Sequence, residues 1–349
     1  MYIKLYNGDE KECRYLYGGL CGKRPSPLWR GSFFVKPFRT MDELIQKLKD
    51  RGMTIRDEEF AKKCLLSNTY YNVINGYSKY FPRMDEKYIA GTSFDEVWQL
   101  YLYDKEVKQA FFEALLLAET HIKSIFAHHF AETFRDIPYA YLNINSYQGD
   151  VLDIVATISR LSNEIKRQRN IPGSSIRHYI ACHNDVPIWV LVNHIDFGEF
   201  VYMLSESRTS VQNKVSRSLC GFIEQNLGKS FLFAPEVMIS FVQNMRDVRN
   251  VCAHDNRLLG FRCRRDSNYW APLHDRFGIT PDIDRRNVFS VFVSLQCFLS
   301  ISEYGALHNK ILKRSNHLGK HLQTITLNDI LRTLGFPENW NRNAARIST

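Results

Sequence analysis

No C-x-x-C pair occurs in this chain, although it holds eight cysteines: Cys13, Cys21, Cys64, Cys182, Cys220, Cys252, Cys263 and Cys297. Scattered over 349 residues, they read as reduced core thiols and argue against a zinc ribbon or a disulfide framework. The first residues, MYIKLYNGDEKEC, lack the basic-then-apolar run of a secretory signal. The most apolar stretch, residues 288–301, is too short and too broken by Ser and Gln to span a bilayer. A cytoplasmic protein without membrane association is expected. Phosphate and nucleotide loops are missing too: there is no P-loop, no G-x-G-x-x-G and no G-x-S-x-G. His317 and His321 stand four apart but lack the Glu of a zincin, and His128 and His129 are neighbours whose side chains should diverge on a helix. Carboxylate clusters with metal-nuclease spacing are lacking, so neither metal nor cofactor is expected. No internal repeat or low-complexity tract appears.

What is present is an ordinary globular composition, 44% hydrophobic, 13% aromatic and 24% charged, enough to fill a core. Forty-six Lys and Arg against 37 Asp and Glu give a net charge of +9. That balance favours an anionic partner, nucleic acid ahead of a membrane surface, though a basic solvated surface would look the same. The length suits two domains, or one helical body with a smaller lobe.

Residues 1–35, rich in Gly, Tyr and basic side chains and interrupted by Pro25 and Pro27, read as an irregular or β arm. An N-terminal helical lobe over 36–90 follows, its first helix capped by Thr40 and stopped at Gly52, its second starting near Arg56. Tyr70, Tyr71, Tyr77 and Tyr80 could stack bases, core packing being the commoner use of such a run. Ser93 and Glu96 form a capping box. It opens a long helix to about Phe134, whose apolar residues recur at threes and fours. Glu119 and Lys123 are one turn apart on it and could pair.

Further helices are expected over 151–167, from Pro187 through VLVNHIDFGEFVYML, over 208–228, from Pro235, and over 287–313, with a last short one capped by Thr326. Lys166, Arg167, Arg169 and Arg177, around a Pro-Gly loop, are a second candidate for holding a phosphate backbone, or simply a charged surface loop. The fold class is all-α, with a main helical domain over 91–312 and a C-terminal tail with a short helix over 313–349.

The densest chemistry lies in residues 246–257, RDVRNVCAHDNR. On one continuous helix, Arg246, Asn250, His254 and Arg257 share a stripe with Arg249 beside it, while Phe241, Met245, Val248, Val251 and Cys252 collect opposite. RNA carries its own nucleophile, the 2′-OH; its cleavage needs a base, an acid and cations on the developing phosphorane charge. Histidine can take either proton role, and arginine grips phosphate through two donors. Asn250, one turn before His254, could orient the ring. One helix supplies one histidine, so two copies meeting in a homodimer would complete the pair. A basic helix end that merely complements the helix dipole is the plainer reading of the same residues.

Arg249-Asn-Val-Cys-Ala-His254 has the R-x4-H pattern of the HEPN ribonuclease superfamily, and RNVCAHDNRL resembles the signature of the Abi (abortive infection, AbiD/AbiF-like) proteins of bacteria. KPFRTMDELIQKLKDRGM with NTYYNVINGYSKYF, GTSFDEVWQLYLYDKEVKQAFFEALLLAETHIKS and HYIACHNDVPIWVLVNHIDFGEF resemble further blocks of that family in the same order, over roughly residues 36–260. The resemblance implies a HEPN-like helical bundle, phage defence with toxin-like activity, and RNA as substrate or ligand, in some members a small structured non-coding RNA. It also puts Glu119 where the family carries an acidic residue, to pair with Arg249 or orient His254. Lys123 stands where Arg is common, and Asp255 replaces a commoner second His. Three functions follow as expectations. The first is a metal-independent endoribonuclease, with Arg249, Asn250, His254 and Glu119 at its centre and Arg246 and Arg257 on the backbone. The second is a non-catalytic RNA-binding module, and the third a protein–protein adaptor.

Overall fold

A computed structural model describes residues 37–348; the arm expected over residues 1–35 lies outside them. The protein is all-α. The strands among the described residues are two dipeptides, β1 (Arg83–Met84) and β2 (Lys87–Tyr88), paired as an antiparallel hairpin. No helix among the described residues is long and apolar enough to cross a membrane.

The chain divides into two compact units. The first takes in the described residues to Tyr101 together with Gln323–Ile325. Its helix α1 (Met41–Asp50) opens with a capping box: Thr40 Oγ1 accepts from Glu43 N (3.3 Å), and the Glu43 carboxylate accepts from Thr40 N (2.7 Å). Ile45 and Leu48 are its buried residues, and it packs against α2 (Glu58–Asn68). The tyrosine run divides between roles. Tyr77 is buried edge-on to Tyr101, with ring centroids 5.5 Å apart, whereas Tyr71 is exposed. Helix α3 (Phe94–Thr133) starts in this unit. Glu96 of its capping box is buried and accepts through Oε1 from Gln323 N, Thr324 N and Thr324 Oγ1 at 2.7, 2.8 and 3.0 Å. One carboxylate thus caps a helix and holds a segment more than 200 residues away in sequence.

The second unit holds residues 102–322 and those from Thr326 onward. After α3 come α4 (Val151–Arg169), α5 (Ser175–His183), α6 (Ile188–Leu191), α7 (Phe197–Glu206), α8 (Thr209–Leu227), α9 (Pro235–Ala253), α10 (Ala271–His274), α11 (Val288–Ser294), α12 (Ile301–Gly319), α13 (Leu327–Leu334) and α14 (Trp340–Asn343). Two expected helices are in fact broken. The run from Ile188 stops after Leu191, because Asp196 accepts from Glu199 N (2.8 Å) and starts α7 afresh. Residues 287–313 divide into α11, a 3-10 turn and α12, which opens on a Ser300–Glu303 capping box. Apolar continuity hides both breaks; a cap inside an apolar run restarts the helix.

Helix α9 lies against α7, α8 and α11. The core around it includes Phe126 edge-on to Phe200 (5.4 Å between centroids) and Phe111 against Phe292 (6.2 Å). Burial pushes the thiols of Cys252 and Cys263 up to about 12 and that of Cys297 well above its ordinary value, so all three stay protonated and inert at neutral pH.

His274 is fully buried against Tyr269 and Phe241, and its Nδ1 accepts from Trp270 N (2.8 Å). Burial, helped by Arg285, lowers its pKa to about 4. The unfolded chain therefore takes up a proton near pH 6.5, before the folded one does. The stability that neutral His274 contributes is complete above that pH and is lost as pH falls towards 4. The calorimetric melting midpoint is expected to drop between pH 7 and pH 4.5, and to drop less in His274→Asn, which keeps an acceptor and cannot titrate. Equal slopes in the two proteins would contradict this assignment.

Candidate nucleic-acid interface

Pro235 opens α9 at its first turn. Met238, Phe241, Val242, Met245, Val248 and Val251 form the buried stripe that spacing predicts. The expectation of one helix over residues 246–257 needs correction: α9 ends at Ala253 and His254 is its C-cap, donating its N–H to Asn250 O (3.1 Å). Arg246 and Asn250 keep the common stripe, His254 closes it, and Arg257 has left it to donate from Nε to Leu259 O (3.1 Å).

The cause lies on α3. Asp255 takes a left-handed φ of 51° and its carboxylate meets Lys108 Nζ at 2.5 Å. Asp104, whose side chain is completely buried, accepts from Leu258 N (3.1 Å) and Leu259 N (2.9 Å) and lies 3.7 Å from the same ammonium. The backbone groups after His254 are therefore satisfied by α3 instead of by another helical turn.

Glu119 is shared between two cations. Its Oε1 accepts from Lys123 Nζ at 2.7 Å, and its Oε2 lies 3.5 Å from Arg249 Nε. Lys123 also donates to Ile195 O (2.9 Å), which fixes the ammonium between α3 and the segment before α7. Arg249 Nε and Glu119 Oε2 are both buried without a hydrogen bond. They form a loose ion pair, close enough to orient the guanidinium without consuming its donors. Three residues expected together are thus brought together. Asn250 is half-buried and His254 exposed, and neither side chain is hydrogen-bonded among the described residues.

Beside Arg249, Arg246 lies 3.2 Å from the buried carboxylate of Asp247, which in turn accepts from Arg264 N (2.9 Å). Arg246 also lies over the ring of Tyr202 (5.9 Å), and Arg160 of α4 lies over the same ring at 4.9 Å. A guanidinium–phenol–guanidinium row therefore runs from α9 across α7 to α4. Tyr202 is an addition that sequence reasoning missed: nothing local says that α7 lies between the two arginines. Glu119 and Lys123 further line a groove of about 730 Å³ that includes the half-exposed Trp189.

The second basic candidate is only partly available. Arg167 is held by Glu164 through two bonds of 2.8 Å. Arg169 and Arg177 come together on a pocket of about 480 Å³, and Lys166 is exposed.

Fold and site define a class: an all-α protein in which one helix end presents arginine, asparagine and histidine beside a carboxylate already shared with lysine. Residues 63–260, more than half of the chain, match the family described as Abi-like protein, and the chain belongs to that family. Membership points to abortive-infection defence. No curated protein and no solved structure matches it.

Proposed function

We propose that the protein is an RNA-directed effector of abortive infection, a metal-independent endoribonuclease of the HEPN kind acting as a cytoplasmic toxin. The observation that carries this reading is the Glu119-oriented guanidinium of Arg249 beside unbonded Asn250 and His254. Arg249 binds the non-bridging oxygens of the scissile phosphate. His254 moves a proton: as base it takes it from the 2′-OH, as acid it delivers it to the departing 5′ oxygen. The 2′ oxygen attacks phosphorus, the bond to the 5′ oxygen breaks, and the products are a 2′,3′-cyclic phosphate and a 5′-hydroxyl. Asn250 orients the imidazole. A second chain, docked through the same face as a homodimer, supplies the complementary histidine. Arg246, Tyr202 and Arg160 hold flanking backbone and bases, with Arg257, Lys166, Arg167, Arg169 and Arg177 as outer contacts. A structured non-coding RNA is the natural bound partner, in the manner of a toxin–antitoxin pair.

A non-catalytic grip on such an RNA would use the same Glu119-oriented guanidinium of Arg249, without proton transfer by His254. Binding of labelled RNA at two or more salt concentrations tests the shared premise. Arg249→Ala is expected to weaken binding and to lower the slope of log K against log salt by about 0.7–0.9, one phosphate contact. An unchanged affinity and slope would exclude Arg249 from the interface.

A further inference from the structure

A second group of chemistry-bearing side chains sits towards the C-terminal end of α3. Adjacent helical positions suggest that His128 and His129 diverge, yet their rings meet edge to face with centroids 5.0 Å apart. Glu132, one turn on, reaches the same point: one ligand atom each from His128, His129 and Glu132 lie within 4.8 Å of one another. Glu132 Oε2 is 3.2 Å from His129 Nδ1, and His129 Nε2 is 2.7 Å from Ser218 Oγ on α8. When Nε2–H donates to that hydroxyl, the ring's lone pair is left on Nδ1, facing a carboxylate oxygen. In that tautomer a cation between the two lone pairs satisfies both, whereas in the other Nδ1–H donates to the carboxylate directly and holds the same atoms in place. Lys214, 3.0 Å from the same Oε2, supplies charge from one side only.

We propose that His128, His129 and Glu132 bind a divalent transition-metal cation of the zinc class. The ligands are His129 Nδ1, one ring nitrogen of His128 and Glu132 Oε2. Two imidazoles and one carboxylate suit zinc and its neighbours, whereas magnesium and calcium prefer all-oxygen sites. Metal–ligand bonds of about 2.0–2.2 Å put ligand atoms roughly 3–3.5 Å apart. The 3.2 Å pair already has that spacing. His128 is exposed, so its ring can swing inward without disturbing the core. Ser218 is the outer partner that sets the tautomer. Lys214 is the competitor: its ammonium lies 3.0 Å from Glu132 Oε2 and must step aside for the metal. Three protein ligands leave a coordination position open to water or to an anion. His128 also lines the groove that holds Glu119 and Lys123, so the bound cation adds positive charge to that groove.

The test uses untagged full-length protein carrying Cys182→Ser, which removes the exposed thiol found among the described residues. Zinc is titrated by calorimetry at neutral pH, and cobalt is followed by its visible absorption. One equivalent of zinc per chain is expected, displacing cobalt and its absorption band. His129→Ala and Glu132→Gln should each weaken zinc binding by at least tenfold, and Ser218→Ala by about tenfold. Lys214→Met should tighten it several-fold, a gain that a merely structural cluster would not produce. Zinc uptake that is unchanged in both His129→Ala and Glu132→Gln would overturn the proposal. So would absence of uptake by the parent protein and by Lys214→Met alike, leaving a hydrogen-bonded cluster only.

Discussion

Cleavage of total cellular RNA is expected to fall by about 10²–10⁴-fold when His254 is replaced by alanine, the range lost with a general acid–base group. His254 is exposed at the end of α9, and its ring carries no hydrogen bond among the described residues. The substitution therefore removes a proton carrier and almost nothing else: the stability change should stay within about 0.5 kcal/mol, and RNA affinity should be nearly unchanged. Product ends distinguish the chemistry, because attack by the 2′-OH leaves a 2′,3′-cyclic phosphate. EDTA should leave the rate at saturating RNA intact, since the site proposed at His128, His129 and Glu132 takes no part in bond breaking. A variant that cuts as fast as the parent, or a parent that stops with chelator, would sink the nuclease reading. Binding without cleavage in both proteins would leave the grip-only reading standing.

The second large effect concerns stability. Asp104→Ala should cost about 3–5 kcal/mol in chemical denaturation, the loss typical of breaking a buried charge pair from one side. Its carboxylate is completely buried, serves the backbone N–H groups of Leu258 and Leu259, and faces Lys108, whose side chain is only 6% exposed. Removing it strands two donors and weakens the hold on an ammonium. Lys108 keeps Asp255, so the fold should survive with the segment after His254 loosened. Asp104→Asn retains one acceptor and should recover part of the loss. Denaturation of Asp104→Ala within about 1 kcal/mol of the parent would show that the segment is anchored elsewhere. His254→Ala and Asp104→Ala thus separate chemistry from scaffold: the first should lose activity at constant stability, the second should lose both.

Much of this architecture is local and so was readable along the chain. Thr40, Ser93 and Thr326 cap helices as expected, Ser93 in the capping box with Glu96 that its spacing predicts, and the structure adds Glu43 and Asp329 as the reciprocal partners of the other two. The buried stripe of α9 follows from its period. Glu119 and Lys123 fall one turn apart by arithmetic, but that Arg249 joins them rested on family resemblance, because the residues are far apart in sequence. What stayed hidden depends on such distance. Glu96 holds Thr324, Asp104 ends the helix that carries Arg249, and Tyr202 lies between Arg160 and Arg246. Asp196 and Ser300 escape the pattern for another reason: each interrupts an apolar run whose average character masks one polar residue.

If the proposed function holds, the sharing of Glu119 has a consequence for which RNA positions the centre would accept. Glu119, Lys123 and Arg249 together carry one unit of positive charge, and Arg246 beside them is paired with Asp247 and placed towards the flanking backbone. One unit matches a single internal phosphodiester, a monoanion. A terminal phosphate monoester brings nearly two negative charges at neutral pH, and one of them would find no partner beside the Glu119 carboxylate. An RNA-directed centre of this charge would be matched in valence to the interior of a strand over its phosphorylated ends, a discrimination set by charge count and independent of base sequence.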